Sequence, residues 1–82
     1  MTHHDVWQAI DNMASDLKIT TSALAMRGGM NATTFNRSKR NTILGKSRWP
    51  TMQSIAKILN ATRMDIDDFA RYFPKNYHKG DN

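Results

Sequence analysis

One short stretch of the chain concentrates side chains that can form several hydrogen bonds at once. Thr33, Asn36 and Arg37 bring a hydroxyl, an amide and a guanidinium within five residues. Amides and guanidinium groups can form paired hydrogen bonds with the edge of a purine, and a guanidinium can do so with a phosphate. No nucleophilic side chain has a base close by in the sequence, so we expect no enzymatic activity. The stretch indicates binding to a polar, anionic partner.

The distribution of charge supports an anionic partner. The chain has 82 residues and a formal net charge of +5, and its seven acidic residues all lie outside the stretch between Lys18 and Met64. A surface that serves only solubility usually mixes both signs, although a merely solvated basic face remains an alternative. Because basic domains attract polyanions, the pattern favours nucleic acid. The basic residues of the acid-free stretch are Lys18, Arg27, Arg37, Lys39, Arg40, Lys46, Arg48, Lys57 and Arg63.

Several classes of protein are disfavoured by what the sequence lacks. It has no cysteine, and His3, His4 and His78 lack the spacing of a zinc site, so we expect neither a metal nor a cofactor. No apolar run approaches the roughly 20 residues that span a bilayer, and residues 1–5 lack the apolar stretch of a secretory signal. We therefore expect a cytoplasmic protein without a membrane or small-molecule partner, with the histidine pair in a frayed terminus.

Apolar residues recur at the helical period, which predicts an all-α fold with one domain over residues 1–73 and a flexible polar tail over 74–82. Asp5 is expected to cap the first helix, and Met13, Met26, Met30, Met52 and Met64 are expected to fill the core. Ile66 is expected on the buried face of the last helix. The acidic run 65–68 predicts the start of a helix, whereas a calcium site would need a loop glycine and a distal glutamate. The five predicted helices span about residues 5–16, 21–28, 32–38, 51–61 and 66–73.

The third predicted helix depends on its surroundings. Gly28 and Gly29 provide a turn before it, Asn31 is a good N-cap, and Phe35 is its single large apolar residue. So short a helix is unstable alone, so packing through Phe35 must hold it. Residues 39–49 are predicted to form an exposed loop.

Two short helices joined by a glycine turn, the second polar and basic, have the composition of a helix-turn-helix. The run from Leu24 to Arg37 resembles the lambda-repressor-like helix-turn-helix family, with Leu24-Ala25 before the glycine turn and Met30 after it. This resemblance implies a compact five-helix domain whose short third helix binds DNA.

A longer set of segments, residues 33–40, 48–51 and 54–59, is similar to the DNA-binding half of phage-type self-cleaving repressors. The resemblance covers roughly residues 5–73. Because 82 residues cannot hold the peptidase half as well, self-cleavage is not expected. The implied function is a sequence-specific transcription regulator of the repressor type that binds double-stranded DNA.

Helix geometry assigns roles to individual residues. If Phe35 points inward from an α-helix, then Thr33, Asn36, Arg37 and Arg40 point outward at 100° per residue. The residues at and after the helix start lie deepest in the major groove, which predicts base reading by Ala32, Thr33, Asn36 and Arg37. The residues predicted to contact the DNA backbone are Thr21, Ser22, Asn31, Thr34, Ser38, Lys39, Arg40, Lys46 and Arg48.

One short helix reads few base pairs, so we expect a weak homodimer that DNA strengthens, with Phe69, Tyr72 and Phe73 as candidate contact residues. Trp49 is interpreted as a lid on the core, with base stacking as the alternative, and the role of Trp7 stays open between the same two. Two other functions remain alternatives: a protein-interaction module of the antitoxin or antirepressor type, and an RNA-binding domain.

Overall fold

The computed structural model describes residues 1–41 and 44–76 of the chain. Residues 42–43 and 77–82, which include His78 and most of the predicted tail, lie outside the described residues. The helices of the described part are α1 (His3–Asp16), α2 (Thr21–Arg27), a 3-10 helix (Arg37–Lys39), α3 (Met52–Ala61) and α4 (Ile66–Ala70).

The all-α prediction is confirmed for the described residues, where Asn41 and Ser47 form an isolated antiparallel β-bridge rather than a strand pair. The predicted number of helices is wrong, because the described residues form four α-helices and residues 32–38 do not make a fifth. None of the described helices has the length and apolar character needed to cross a bilayer.

The first helix begins earlier than predicted because Thr2, and not Asp5, is its N-cap. The Thr2 hydroxyl accepts a hydrogen bond from the Asp5 amide at 3.4 Å, and the Asp5 carboxylate accepts one from the Thr2 amide at 2.9 Å. This reciprocal pair is a capping box, which satisfies two backbone donors at the helix start. His3, in the first turn, is only 6% exposed, so the predicted frayed terminus is wrong.

The other α-helices also begin at hydroxyl or carboxylate caps. Thr20, Thr51 and Asp65 each accept a hydrogen bond from the amide three residues on, at 3.0, 3.0 and 2.9 Å. The amide of Asp68 holds the pKa of Asp65 below its usual value, and Asp68 closes a capping box in return. The predicted capping role of the 65–68 run is confirmed.

The last helix is shorter than predicted and ends at Ala70. The amides of Tyr72 and Phe73 donate to carbonyls three residues back, at 3.0 and 3.2 Å, in a tightened turn. Pro74 explains this ending, because its ring disfavours helical geometry at Phe73 and it has no amide proton to donate.

The core lies where α1, α2 and α3 meet, with the largest fully buried side chains from Ile10, Met13, Leu24, Phe35 and Ile58. Trp7 is a core residue and not an exposed base-stacking residue, since it is only 4% exposed. Its ring meets the Phe35 ring edge-on, with 6.1 Å between the centroids, and its Nε1 donates to the Arg48 carbonyl at 2.8 Å.

Three residues that were predicted to be buried are exposed. Met26 is 56% exposed, because Leu24 and Ala25 supply the buried side of the short α2. Met52 and Ile66 are 67% and 57% exposed, because each opens its helix at the edge of the core and the later turns carry the burial.

Gly28 and Gly29, the two glycines after α2, have different structural roles. Gly29 has a φ of +76°, a conformation that favours glycine, and so it makes the turn. Gly28 has an ordinary φ, but a Cβ there would lie 3.1 Å from Met30 Cε and 3.3 Å from Ile58 Cγ2. The end of α2 therefore approaches α3 closely, and Gly28 permits that approach.

The residues after α4 are tied to α1 by polar contacts. Asn12 Nδ2 donates to the Tyr72 carbonyl at 2.7 Å, and the Tyr72 hydroxyl donates to Asp16 Oδ2 at 2.7 Å. The hydrogen bond to Asp16 raises the pKa of Tyr72 to about 12, with smaller contributions from desolvation and carboxylate charge. The neutral phenol is thus the form that the fold favours.

This raised pKa predicts a fall in stability at alkaline pH. A group with a higher pKa in the folded chain stabilises the fold below its unfolded pKa, here near 10, and that stabilisation is lost as the pH rises through about 12. We expect Tyr72→Phe to remove this part of the pH dependence, measured by urea unfolding at a series of pH values. Indistinguishable pH profiles for the two chains would contradict the prediction.

Candidate nucleic-acid interface

Residues 31–39, here called the 31–39 segment, follow the glycine turn and do not form the predicted α-helix. Their amide hydrogen bonds reach back three residues: Thr34 to Asn31 at 3.0 Å, Asn36 to Thr33 at 3.1 Å, and Lys39 to Asn36 at 2.9 Å. Asn36 has extended geometry, with φ −63° and ψ 150°, which separates a turn from the 3-10 helix. The prediction of a helix over 32–38 is therefore wrong.

The side chains of the segment explain why an α-helix does not form. The Asn31 side-chain oxygen accepts from both the amide and the hydroxyl of Thr33 at 2.9 Å, and the Asn31 carbonyl accepts from the Thr34 hydroxyl at 2.7 Å. These local bonds offer the backbone an alternative to the helical ladder, and β-branched threonines add to the preference.

Two side chains fix the segment to the rest of the fold. Phe35 is 1% exposed and packs against Trp7. Arg40, just beyond the segment, donates to both carboxylate oxygens of Asp11 at 2.7 and 2.9 Å and to the Phe35 carbonyl at 3.1 Å. Its guanidinium carbon lies 4.7 Å from the Trp7 ring centroid, within cation–π range. Arg40 thus joins the segment to α1.

The prediction that Arg40 faces outward is wrong. Its side chain is 12% exposed and its terminal nitrogens are paired with Asp11. The error follows from the assumed α-helix, because the turn and the 3-10 helix rotate residue 40 away from its position on an α-helical wheel. Arg40 is therefore not available to contact a phosphate, contrary to the prediction that it contacts the DNA backbone.

The other predicted site residues of the segment differ in exposure. Asn31, Thr33, Arg37, Ser38 and Lys39 are exposed. Ala32, Thr34 and Asn36 are half-buried, and so are Thr21 and Ser22 in the first turn of α2. The side chains of Arg37 and Lys39 form no ion pair or hydrogen bond with another described residue. Both cations are available to an external anion.

A cleft of about 330 Å³ runs along one side of the segment. Its lining includes Asn31, Thr33, Thr34 and Lys39 from the segment, and residues 48–51 with Ser54 from the start of α3 and the residues before it. Trp7 and Phe35 also contribute to its lining, and no carboxylate does. Lys39 and Arg48, which form no ion pair with another described residue, make this cleft suitable for a phosphate or another anion.

Arg37 lies apart from that cleft. It lines a second hollow of about 260 Å³ together with Gln8 and Arg40. The structure thus brings Thr33 and Lys39 together with Arg48 in one cleft, and places Arg37 on the α1 side of the segment. Lys46 is exposed in the loop beyond the segment.

Some residues of the cleft were missed or misread in the sequence. Trp49 is 52% exposed at the rim and does not form the predicted lid on the core. Thr51 and Ser54 line the cleft and were not assigned to the site, although the Thr51 hydroxyl caps α3 through the amide of Ser54. A hydroxyl cap three residues after the basic Arg48 is the signal that could have indicated them.

A short helix, a two-glycine turn and an exposed basic segment follow one another on an all-α core, which is the order of a helix-turn-helix domain with the 31–39 segment in place of the second helix. A family model described as the Cro/C1-type HTH DNA-binding domain matches residues 9–75. The chain belongs to this family, which confirms the predicted lambda-repressor-like helix-turn-helix class. Neither a curated protein nor a solved structure matches the chain.

The contact between Arg40 and Asp11 can be tested with a double-mutant cycle. Arg40→Ala and Asp11→Ala each leave a largely buried partner without its counter-charge, so we expect each to lower the free energy of unfolding by about 2–3 kcal/mol. The double variant should lose at least about 1 kcal/mol less than the two single losses combined. Urea unfolding measures all four chains.

Arg71→Ala is the matched control, because Arg71 pairs with Asp68 at 3.3 Å but is 77% exposed. Exposed pairs contribute little, so its effect should stay below about 0.5 kcal/mol. Additive losses at Arg40 and Asp11 would contradict the assignment of Arg40 as the link between the segment and α1.

Proposed function

We propose that the chain is a sequence-specific transcription regulator of the repressor type that binds double-stranded DNA and reads the major groove with the 31–39 segment. The observation that carries the proposal is the exposure of Arg37 and Lys39, unpaired among the described residues, on a segment fixed by Phe35 and Arg40. Membership of a family of DNA-binding domains supports it.

Base reading is assigned to Ala32, Thr33, Asn36 and Arg37. The exposed guanidinium of Arg37 can bond both major-groove acceptors of a guanine, and the amide of Asn36 can do the same with an adenine. The Thr33 hydroxyl donates to Asn31, which leaves its oxygen as an acceptor and its methyl group for a thymine. Because the segment is short, these contacts cover only a few base pairs.

Contacts with the DNA backbone are assigned to residues in and around the cleft. Lys39 and Arg48 both line the cleft, and a phosphate bound there is expected to contact both. Such contacts release counterions and fix the register of the domain without reading sequence. The proposed backbone residues are Thr21, Ser22, Asn31, Thr34, Ser38, Lys39, Lys46 and Arg48.

A segment this short contacts only a few base pairs, which do not specify a unique DNA site. We therefore expect two copies of the chain to bind the two halves of a two-fold operator. The proposed assembly is a weak homodimer that DNA strengthens.

Selection from a random duplex pool, followed by titration at several salt concentrations, tests this function. Arg37→Ala should lose about 1–3 kcal/mol of discrimination between the selected site and a random duplex. Lys39→Ala should weaken binding to every duplex alike and reduce the slope of log affinity against log salt by about 0.9. The first variant thus tests reading and the second tests phosphate contact.

Arg71→Ala is the control, since it removes the same charge as Arg37→Ala from the exposed end of α4. It should change neither discrimination nor the identity of the selected site. Affinity that stays flat with salt, or full discrimination by Arg37→Ala, would contradict the proposed interface.

A further inference from the structure

The second hollow, of about 260 Å³, lies beside α1 at the end of the 31–39 segment. Three of its residues come from the first two turns of α1, and two come from the segment and the chain just beyond it. These residues are His3, His4, Gln8, Arg37 and Asn41. We call this hollow the α1 hollow. All five side chains can donate hydrogen bonds.

His3 is buried in the lining of the α1 hollow without a hydrogen-bond partner. It is only 6% exposed, and its ring contacts the rings of His4 and Trp49 at centroid distances of 4.1 and 6.2 Å. Its ring nitrogens form no hydrogen bond with another described residue. A histidine ring carries an N–H donor whether it is neutral or charged, and buried donors are rarely left unpaired. An acceptor bound in the hollow can supply the partner that the fold does not.

The charges around the α1 hollow favour an anion as that acceptor. Asp11 is the one carboxylate among the described residues that line it, and both of its oxygens accept hydrogen bonds from Arg40. These two charges offset each other. Arg37 then remains as an exposed cation with no ion-pair partner among the described residues. An anion in the hollow therefore meets one free positive charge and several neutral donors.

We infer that the α1 hollow binds a phosphate group through His3 and Asn41, at a place separate from the phosphate in the cleft. The inference rests on the proposed function where that phosphate belongs to the DNA backbone. A free phosphate compound is the other source of the same chemistry.

The size of the α1 hollow suits one phosphate group. Its volume of about 260 Å³ lies below the roughly 300–1,000 Å³ of pockets that enclose drug-sized ligands. A tetrahedral phosphate accepts hydrogen bonds from several directions, and three separate parts of the chain supply donors here. His3 belongs to α1, Arg37 opens the 3-10 helix, and the backbone of Asn41 is fixed by its β-bridge with Ser47.

The α1 hollow and the cleft are two distinct sites of one rigid surface. Among the described residues, Trp7 alone lines both, and no residue of the 31–39 segment does. The amide of Arg48, in the cleft, donates to the carbonyl of Arg40, in the hollow, at 3.0 Å. A segment in the major groove has a DNA backbone on either side, so phosphates are available to both sites. Two phosphate sites at a fixed separation hold the register of the domain on the duplex.

Arg37 keeps its assignment to base reading, because a guanidinium has five N–H donors and one phosphate does not exhaust them. The variants that test the hollow are therefore Asn41→Ala and His3→Phe. The phenylalanine keeps a ring against His4 and Trp49 but has no donor. Urea unfolding of both variants establishes that they remain folded in the binding assays.

Each of the two variants should weaken binding to the selected duplex about tenfold, since each removes a hydrogen bond to a charged acceptor. Asn41 is uncharged, so Asn41→Ala should leave the slope of log affinity against log salt unchanged, unlike Lys39→Ala. Asn60→Ala is the matched control, because Asn60 is exposed on α3 and lines neither the hollow nor the cleft. It should bind DNA like the natural chain.

Duplexes with a single neutral methylphosphonate, moved one position at a time through the selected site, locate the phosphate. The natural chain should lose affinity at each phosphate that it contacts. At one such position Asn41→Ala should show no further loss, because the hydrogen bond has already been removed from the protein side. Lys39→Ala should show this behaviour at a different phosphate, and Asn60→Ala at none.

Inorganic phosphate, added at constant pH to the chain with isotope-labelled histidine, tests the hollow without DNA. Ring resonances of His3 and His4 should shift to saturation in the natural chain and in Asn60→Ala, and should shift less in Asn41→Ala. Sodium chloride at equal ionic strength is the blank. Such shifts assign the site to free phosphate as well, whereas dependence on Asn41 at one DNA phosphate alone assigns it to the backbone.

Unchanged affinity and an unchanged pattern of sensitive phosphates in both variants, together with histidine resonances that ignore inorganic phosphate, would overturn the inference. The proposed function would stand in that case, because the natural chain still binds its selected duplex. Saturable histidine shifts in a chain that binds no duplex would instead overturn the proposed function and support a site for free phosphate.

Discussion

The paired hydrogen bonds between Arg40 and Asp11 hold the whole 31–39 segment in place against α1. A regular α-helix at this place would pair its backbone amides along its own axis, whereas the threonine hydroxyls and the Asn31 side chain of this segment form local turns. Phe35 anchors its middle in the core, and Arg40 fixes its end against Trp7. A charge pair with 12% and 26% exposure is sensitive to loss of either partner, because the remaining charge is left poorly solvated.

The same pair explains how the positive charge is distributed. The Arg40 side chain forms an ion pair with Asp11, whereas Arg37 and Lys39 have no acidic partner among the described residues. The cleft adds Arg48 to its lining, together with Thr51 and Ser54 at the start of α3. Arg40 therefore has a structural role, and Arg37 and Lys39 remain available to bind a ligand. Since the scaffold is fixed before any ligand arrives, little ordering of the segment remains to oppose binding.

Much of the fold could be predicted because helix periodicity and caps are local signals. The cap in the acidic run 65–68, the core position of Phe35 and the glycine turn follow from neighbouring residues, whereas the cap of α1 was assigned to Asp5 and lies at Thr2. The ion pair of Arg40 does not, because Asp11 lies 29 residues away and nothing local indicates the pairing. The outward role given to Arg40 came from helical geometry applied to a segment that is not α-helical. Met52 and Ile66 show a related limit, since an apolar residue does not reveal whether the core reaches as far as the helix start.

Backbone amide shifts of the isotope-labelled chain, followed by nuclear magnetic resonance as duplex DNA is added in dilute salt, test the central claim most directly. We predict that the amide resonances that shift belong to the 31–39 segment and to residues around Arg48, while those of the buried middle of α1 do not change. We also predict that the Arg40–Asp11 pair persists in the complex. Shifts confined to the α4 end of the domain, or no change with any duplex, would contradict the claim.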